Sequence, residues 1–120
     1  MLVGFCTLDK ATFVATLVYV RFEWDETKRR RNLSKHGIDF VDAVRVFAGL
    51  TISALDERRD YGEERFVTLG FLEGVVIYVA HTDGGDVIRV ISMRKATKNE
   101  TSIYLSQIGH GLEEDPDDEG

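Results

Sequence analysis

Apolar residues alternate with polar ones through the second half of the chain, and this pattern predicts a run of β-strands. The predicted strands cover residues 50–55, 64–72, 75–82 and 86–93. The last three are separated by Glu73-Gly74 and by Asp83-Gly84-Gly85, which have the composition of hairpin turns. We therefore expect an antiparallel hairpin arrangement in this half.

Helical signals occur before and after these strands. Residues 17–23 continue a β-branched strand, after which Asp25 has the chemistry of a helix N-cap and Gly37 suits the left-handed position that ends a helix. Asp39 caps a second helix, and residues 97–100 form a capping-box pattern at the start of a third. This order predicts a small single-domain α+β protein. It would have two N-terminal helices, an antiparallel sheet of three to five strands and a C-terminal helix.

The two ends of the chain differ from its middle. Residues 1–19 are expected to be an N-terminal extension of the domain at 20–108, either from a misassigned translation start or as a strand added to the sheet edge. Charged residues interrupt this apolar run and no cleavage signal follows, so neither a signal peptide nor a membrane segment is expected. Residues 109–120 are expected to be an acidic, disordered tail, and we hypothesise that this tail shields a basic cleft of the same domain.

Charge and cysteine content refine this outline. The formal net charge of -6 reflects the six acidic residues of the tail, because the remaining acids balance the 15 lysines and arginines. A single cysteine, Cys6, leaves no intramolecular disulfide and indicates a cytoplasmic location. The three histidines are far apart in the sequence, so no metal site is expected.

The first predicted helix carries a basic run within an otherwise neutral domain. At about 100° per residue, Lys28, Arg31, Asn32 and Lys35 fall on one face of this helix. Such a stripe is either a solvated helix face or a track for a nucleic-acid backbone, whose binding releases counterions.

Cationic residues in the last predicted strand are more specific candidates for catalytic residues than the basic run of the first helix. Arg89 lies among apolar residues, and a buried guanidinium requires a carboxylate partner or a cleft. Arg94 and Lys95 close the same strand, and His81 ends the preceding one. The length of the hairpin loop decides which arginine His81 meets. In either register a histidine and an arginine are expected to share a face, next to Arg65.

Such a face would suit the cleavage of RNA without a metal. That reaction needs a base for the 2′-hydroxyl, cations for the phosphorane charge and an acid for the leaving oxygen. The arginine guanidinium keeps its proton near neutral pH, so it cannot act as a base. Its expected role is to bind the phosphate. His81 could transfer the proton, and Glu57 and Glu64 are alternative bases. The competing interpretation is a set of ordinary polar residues at strand ends.

Several motifs, in order, resemble the BrnT family of toxins. The run FEWDETKRRRNLSKHGIDFVDAVRVF resembles the family's F-x-W-D, lysine, asparagine, K-H-G-x-x-F and apolar V-F. The later segments GEERFVTLG and VIRVISMRKATKNETSIY resemble its E-x-R strand and its R-I-I-S-x-R-x-A-x-x-x-E-x-x-x-Y ending. The residues at the family positions of these later segments are Glu63 or Glu64, Arg65, Arg89, Ser92, Arg94, Ala96, Glu100 and Tyr104. The resemblance covers roughly residues 20–105.

The resemblance implies a type II toxin with a RelE-like ribonuclease fold, which uses no cofactor and no metal. It also implies neutralisation by a BrnA-like antitoxin with a ribbon-helix-helix DNA-binding part, in a 2:2 heterotetramer. That complex would repress its own operon, with the antitoxin supplying most DNA contacts. By the same analogy, the arginines of the last strand would be central to toxicity.

The residue patterns and the resemblance together predict the residues of the site. The expected catalytic residues are Arg89, Arg94, Arg65, His81 and Glu64. The expected RNA-binding residues are Lys28, Arg31, Lys35 and Lys95. Two alternatives stay open. The chain could be a binding module without catalysis, which reaches nucleic acid only through its antitoxin complex, or a structural domain whose sheet edge recruits a partner.

Overall fold

The computed structural model describes residues 2–6 and 17–112, and the side-chain surroundings of residues 20–109. The elements of these ranges are β1 (Leu2–Cys6), β2 (Leu17–Trp24), α1 (Glu26–His36), α2 (Ala43–Phe47), β3 (Thr51–Leu55), β4 (Phe66–Leu72), β5 (Val75–Asp83), β6 (Val87–Lys95) and α3 (Lys98–Leu112). A 3₁₀ turn, Phe40–Asp42, leads directly into α2.

All these strands belong to one six-stranded sheet with the order β1-β2-β6-β5-β4-β3. Neighbouring strands are antiparallel except β2 and β6, which are parallel. The helices α1 and α2 carry the chain from β2 to the far edge of the sheet, and three reversals then return it to β6 beside β2. The predicted α+β domain with two N-terminal helices and a C-terminal helix is confirmed. The purely antiparallel sheet is corrected, because this crossover makes the β2–β6 pair parallel.

The ends of the described chain add to this sheet and to its last helix. β1 pairs with β2 at one edge, and α3 continues to Leu112, four residues into the segment predicted to be a tail. Residues 7–16 of the predicted extension and the acidic residues beyond 112 lie outside the described residues. None of the helices in the described part of the chain is long and apolar enough to cross a membrane.

Local sequence signals account for the helix and hairpin boundaries. The Asp25 side chain accepts a hydrogen bond from the Lys28 amide at 3.0 Å, and Gly37 ends α1 with a φ of 73°. Glu73 and Gly74 have φ values of 52° and 81°, which are the positive angles of a type I′ turn between β4 and β5. The predicted caps of α1 and the predicted β4–β5 hairpin are therefore confirmed.

Helices cover the sheet on both sides, and each side has its own apolar core. On the side of α1 and α2, which we call the α1 face, the buried residues include Phe22, Phe40, Val46, Val79 and Met93. On the opposite side, the α3 face, Leu69, Val76, Tyr78 and Tyr104 form a smaller buried cluster. α3 packs over β3 and β4, so it leaves the β5–β6 part of the α3 face more open.

A buried asparagine completes the free edge of β6. β2 ends at Trp24 beside Val90, so among the described residues the rest of β6 has no strand neighbour on that side. The side chain of Asn32 takes its place: its Nδ2 donates to the Met93 carbonyl at 2.9 Å, and its Oδ1 accepts from the Met93 amide at 3.2 Å. Nδ2 also donates to the Ile38 carbonyl at 3.1 Å, so this single amide ties α1 to the sheet.

Candidate active site

The two arginines of β6 point to the same side of the sheet because the strand carries a bulge. Arg89 pairs with Thr82 and Arg94 pairs with Tyr78, and the register shifts between these two pairs. Side chains alternate between faces along a regular strand, so residues five positions apart would face opposite ways. Ile91 has no partner on β5, and this additional residue places Arg94 on the same side of the sheet as Arg89. Both arginines therefore lie on the α3 face.

The loop between β3 and β4 supplies the partners of Arg89. Glu63 accepts a hydrogen bond from Arg89 Nη2 at 2.7 Å, and its second oxygen lies 3.4 Å from Arg65 Nε. The guanidinium of Arg65 in turn lies over the ring of Tyr61, 4.2 Å from its centre. One carboxylate and one aromatic ring thus hold two arginines side by side.

The same loop continues this set of contacts towards Arg94. Asp56 accepts hydrogen bonds from the Tyr61 hydroxyl at 3.0 Å and from Arg58 Nε at 2.8 Å. Arg58 also donates to the hydroxyl of Tyr78 at 3.3 Å. The guanidinium of Arg94 lies 3.7 Å from the centre of the Tyr78 ring. The contacts therefore run without a break from Arg89 to Arg94.

The first turn of α3 fixes the orientation of Arg94. Two of its guanidinium nitrogens donate to the two carboxylate oxygens of Glu100 at 2.9 and 3.0 Å. Glu100 also accepts from the Thr97 amide at 2.9 Å, as the predicted capping box requires. The hydrogen bonds of this pair raise the pKa of Arg94 and lower that of Glu100, so both groups stay charged.

Together these side chains form what we call the arginine cluster. It consists of Asp56, Arg58, Tyr61, Glu63, Arg65, Tyr78, Arg89, Arg94 and Glu100. Four guanidiniums face three carboxylates, which leaves one positive charge in excess. The Arg89 and Arg94 side chains are 38% and 31% exposed, so solvent anions reach both. Exposed guanidiniums of fixed geometry are suited to binding phosphate groups.

His81 lies on the other side of the sheet. It pairs with Val90, points to the α1 face and is only 3% exposed. Its ring packs against Phe47 and Phe66. Its Nδ1 donates to the Thr82 carbonyl at 3.1 Å, so its Nε2 accepts from the Thr68 hydroxyl at 2.7 Å. The prediction that a histidine and an arginine share a face is therefore wrong, because the hairpin register pairs Arg89 with Thr82 and the bulge turns Arg94 away from His81.

The burial of His81 predicts a pH-dependent stability. Burial lowers the pKa of this imidazole, so the unfolded chain takes up a proton at a pH where the folded chain does not. We expect the free energy of unfolding to fall by up to about 1.4 kcal/mol per pH unit as the pH drops below about 6.5. Urea unfolding measured from about pH 7.5 to about 5.5 tests this, because most carboxylates titrate lower, near 4.

The matched variants separate this effect from other titrations. His81→Gln should remove most of the slope, whereas His36→Gln, at the end of α1, should retain it. A slope that persists in His81→Gln would contradict the assignment.

The other predicted residues lie in three places. Lys28, Arg31 and Lys35 are exposed on α1 and line a groove of about 280 Å³ beside Ile91 and Ser92 of β6. Lys95 lies in a separate groove on the α1 face, with Glu73 and Asp42. Glu64 is exposed and lines a pocket beside the β3–β4 loop. The structure thus brings Arg65, Arg89 and Arg94 together, but neither Lys95 nor His81 joins them.

Sequence reasoning did not identify four members of the arginine cluster. Asp56, Arg58 and Tyr61 belong to the segment DERRDYGEER, whose dense charges and single aromatic residue were the available signal. Tyr78 faces Arg94 across the hairpin, and only the register identifies that pair. Within the described ranges, no group of three or more histidine, cysteine, aspartate or glutamate residues is arranged to hold a metal ion.

Comparison with known proteins identifies a family for this chain. Residues 24–100 match the family model described as ribonuclease toxin, BrnT, of type II toxin–antitoxin system. This segment is more than half of the chain and contains Arg65, Arg89 and Arg94. A search of curated proteins found no match. Membership of such a family implies an RNA substrate and an antitoxin partner. The chain belongs to the BrnT family of ribonuclease toxins of type II toxin–antitoxin systems.

Proposed function

We propose that this toxin is a metal-independent endoribonuclease and that it cleaves RNA at the arginine cluster. The observation that carries the proposal is that Arg65, Arg89 and Arg94 lie on one partly open sheet face and are linked by carboxylates and tyrosines. The family supplies the reaction class, and the cluster supplies the groups that a phosphodiester needs.

The chemistry follows from where charge develops in the reaction. Attack of the 2′-hydroxyl on the neighbouring phosphorus makes a phosphorane with additional negative charge. Arg65, Arg89 and Arg94 would bind the phosphate oxygens of the RNA, because guanidiniums stay protonated and donate two parallel hydrogen bonds. Tyr78 and Glu100 fix the Arg94 guanidinium from two sides, so little reorganisation is needed when the charge appears.

The basic residues of α1 would guide the RNA strand to this site. Lys28, Arg31 and Lys35 line a groove beside β6, the strand that carries both catalytic arginines. Each contact with a phosphate would release a counterion and make binding weaker at higher salt. Lys95 would contribute only to RNA that reaches around the end of β6.

The proposal includes a partner and a fold relationship. The partner is a BrnA-like antitoxin with a ribbon-helix-helix DNA-binding part, in a 2:2 complex that binds operator DNA through the antitoxin. The sheet with helices on both faces supports a RelE-like fold. We infer that the toxin acts in the cytoplasm and without a cofactor.

Cleavage of RNA by the purified toxin in EDTA tests this proposal. The expected products end in a 2′,3′-cyclic phosphate and a 5′-hydroxyl, because the 2′-oxygen is the nucleophile. An RNA of the same sequence with 2′-O-methyl groups should bind but remain intact. Equal cleavage of both RNAs would contradict the 2′-hydroxyl mechanism. Binding without cleavage of either RNA would instead identify a non-catalytic binding module.

A further inference from the structure

Glu63 has an unusual position within the arginine cluster. It lies on the loop between β3 and β4, between Arg65 and Arg89, and its side chain is 36% exposed. Its Oε1 accepts from Arg89 at 2.7 Å, and its Oε2 lies 3.4 Å from Arg65 Nε. It is therefore a carboxylate that solvent reaches and that two phosphate-binding groups hold in place.

Arg65 has one hydrogen-bond donor that the described residues leave unused. Its Nε is buried and has no hydrogen-bond partner among the described residues, although Glu63 is close. Buried N–H groups are nearly always paired in folded proteins. The Arg65 side chain as a whole is 25% exposed and that of Arg89 is 38% exposed, and a phosphate bound by the accessible parts of these two guanidiniums would lie directly beside Glu63.

The other two carboxylates of the cluster are already fully engaged. Asp56 is 5% exposed and accepts from Arg58 and from the Tyr61 hydroxyl. Glu100 binds Arg94 with both oxygens and also caps α3. Glu63 makes one hydrogen bond to Arg89, and a carboxylate offers about four acceptor positions. Glu63 thus has the most capacity to accept a further proton.

We propose that Glu63 is the general base of RNA cleavage and that Arg65 and Arg89 hold the phosphate beside it. The inference rests on the ribonuclease function proposed above. Glu63 takes the proton of the 2′-hydroxyl as the bond from O2′ to phosphorus forms and the bond from phosphorus to O5′ breaks. The leaving 5′-oxygen takes a proton from water, and Glu63 then releases its own proton to the resulting hydroxide. Arg89 also lowers the pKa of Glu63, so the carboxylate is ionised at neutral pH, although it is a weaker base than a glutamate without this partner.

The variant Glu63→Gln keeps the shape of the side chain but removes its ability to take a proton. We expect single-turnover cleavage of an RNA oligonucleotide to slow by about a hundredfold or more. Binding of the matching 2′-O-methyl oligonucleotide, measured by fluorescence anisotropy, should be unchanged or tighter, because a negative charge beside the phosphate is removed. Circular dichroism melting establishes that the variant folds.

Two matched variants accompany this measurement. Glu73→Gln removes a carboxylate that also binds an arginine at 2.9 Å, but at the β4–β5 turn away from the cluster, so cleavage should stay at the wild-type rate. Glu64→Gln removes the neighbouring carboxylate, which is one of the alternative bases that the sequence predicts.

Each result decides between distinct roles. Cleavage by Glu63→Gln at the wild-type rate or faster would overturn the proposal and make Glu63 only a counterion of the two arginines. A large loss in Glu64→Gln with none in Glu63→Gln would move the base to Glu64. Equal losses of binding and cleavage in Glu63→Gln would make it a positioning residue. A wild-type protein that binds RNA without cleaving it would overturn the proposed ribonuclease function itself.

Discussion

Replacing Arg94 by alanine is expected to slow RNA cleavage by about a thousandfold, the effect of removing one preorganised donor to a developing oxyanion. Arg94 is the member of the cluster that is held most firmly, by two hydrogen bonds that it donates to Glu100 and by the ring of Tyr78. Its removal deletes a phosphate clamp and leaves the Glu100 carboxylate facing the substrate. Single-turnover cleavage by wild type and variant measures the loss.

Two substitutions separate geometry from charge. Arg94→Lys keeps the positive charge but cannot donate two parallel hydrogen bonds, so it should recover only a small part of the rate. Arg30→Ala removes a cation from α1 that is 71% exposed, and it should change cleavage only through a slight salt dependence. Full activity in Arg94→Lys would show that a point charge suffices, contrary to the clamp proposed here.

Replacing Asn32 by alanine is expected to lower the free energy of unfolding by about 3 kcal/mol, because buried partners are left without hydrogen bonds. The amide and carbonyl of Met93 and the carbonyl of Ile38 would each lose a partner. No strand of the described part of the chain is near enough to replace it, since β2 ends at Trp24. Urea unfolding at neutral pH measures the change.

Asn99 provides the matched control for this substitution. It is an exposed asparagine in the first turn of α3, so Asn99→Ala should change stability by no more than about 0.5 kcal/mol. If Asn32→Ala were as stable as Asn99→Ala, the bonds to Met93 would not be what holds α1 against β6.

Short-range signals in the sequence predicted most of the elements, because their causes are local. Asp25 and Gly37 bound α1 through hydrogen bonding and a positive φ, and neither depends on the rest of the fold. The helical wheel also placed Asn32 correctly with Lys28 and Lys35. It could not show that Asn32 is buried while its neighbours are exposed, because that difference depends on where β2 ends.

The candidate site was less predictable because its geometry depends on pairing between strands. Arg89 and Arg94 were identified from their positions in an apolar strand, but the residues they contact come from the β3–β4 loop and from α3. His81 was assigned to the same face as an arginine because both registers considered for the hairpin were regular. The observed register contains a bulge, and no residue near Ile91 indicates this bulge in the sequence.

The bulge at Ile91 also determines which changes in chain length this toxin tolerates. Arg89 and Arg94 are separated by an odd number of positions, which would place them on opposite faces of a regular strand. The additional residue of the bulge places them on the same face. Deletion of Ile91 alone would leave an even spacing in a regular strand and keep Arg94 on the α3 face, whereas the present odd spacing without a bulge would turn Arg94 into the apolar core of the α1 face. Relatives that use the same pair of arginines are therefore expected to keep an odd spacing with a bulge, or an even spacing in a regular strand.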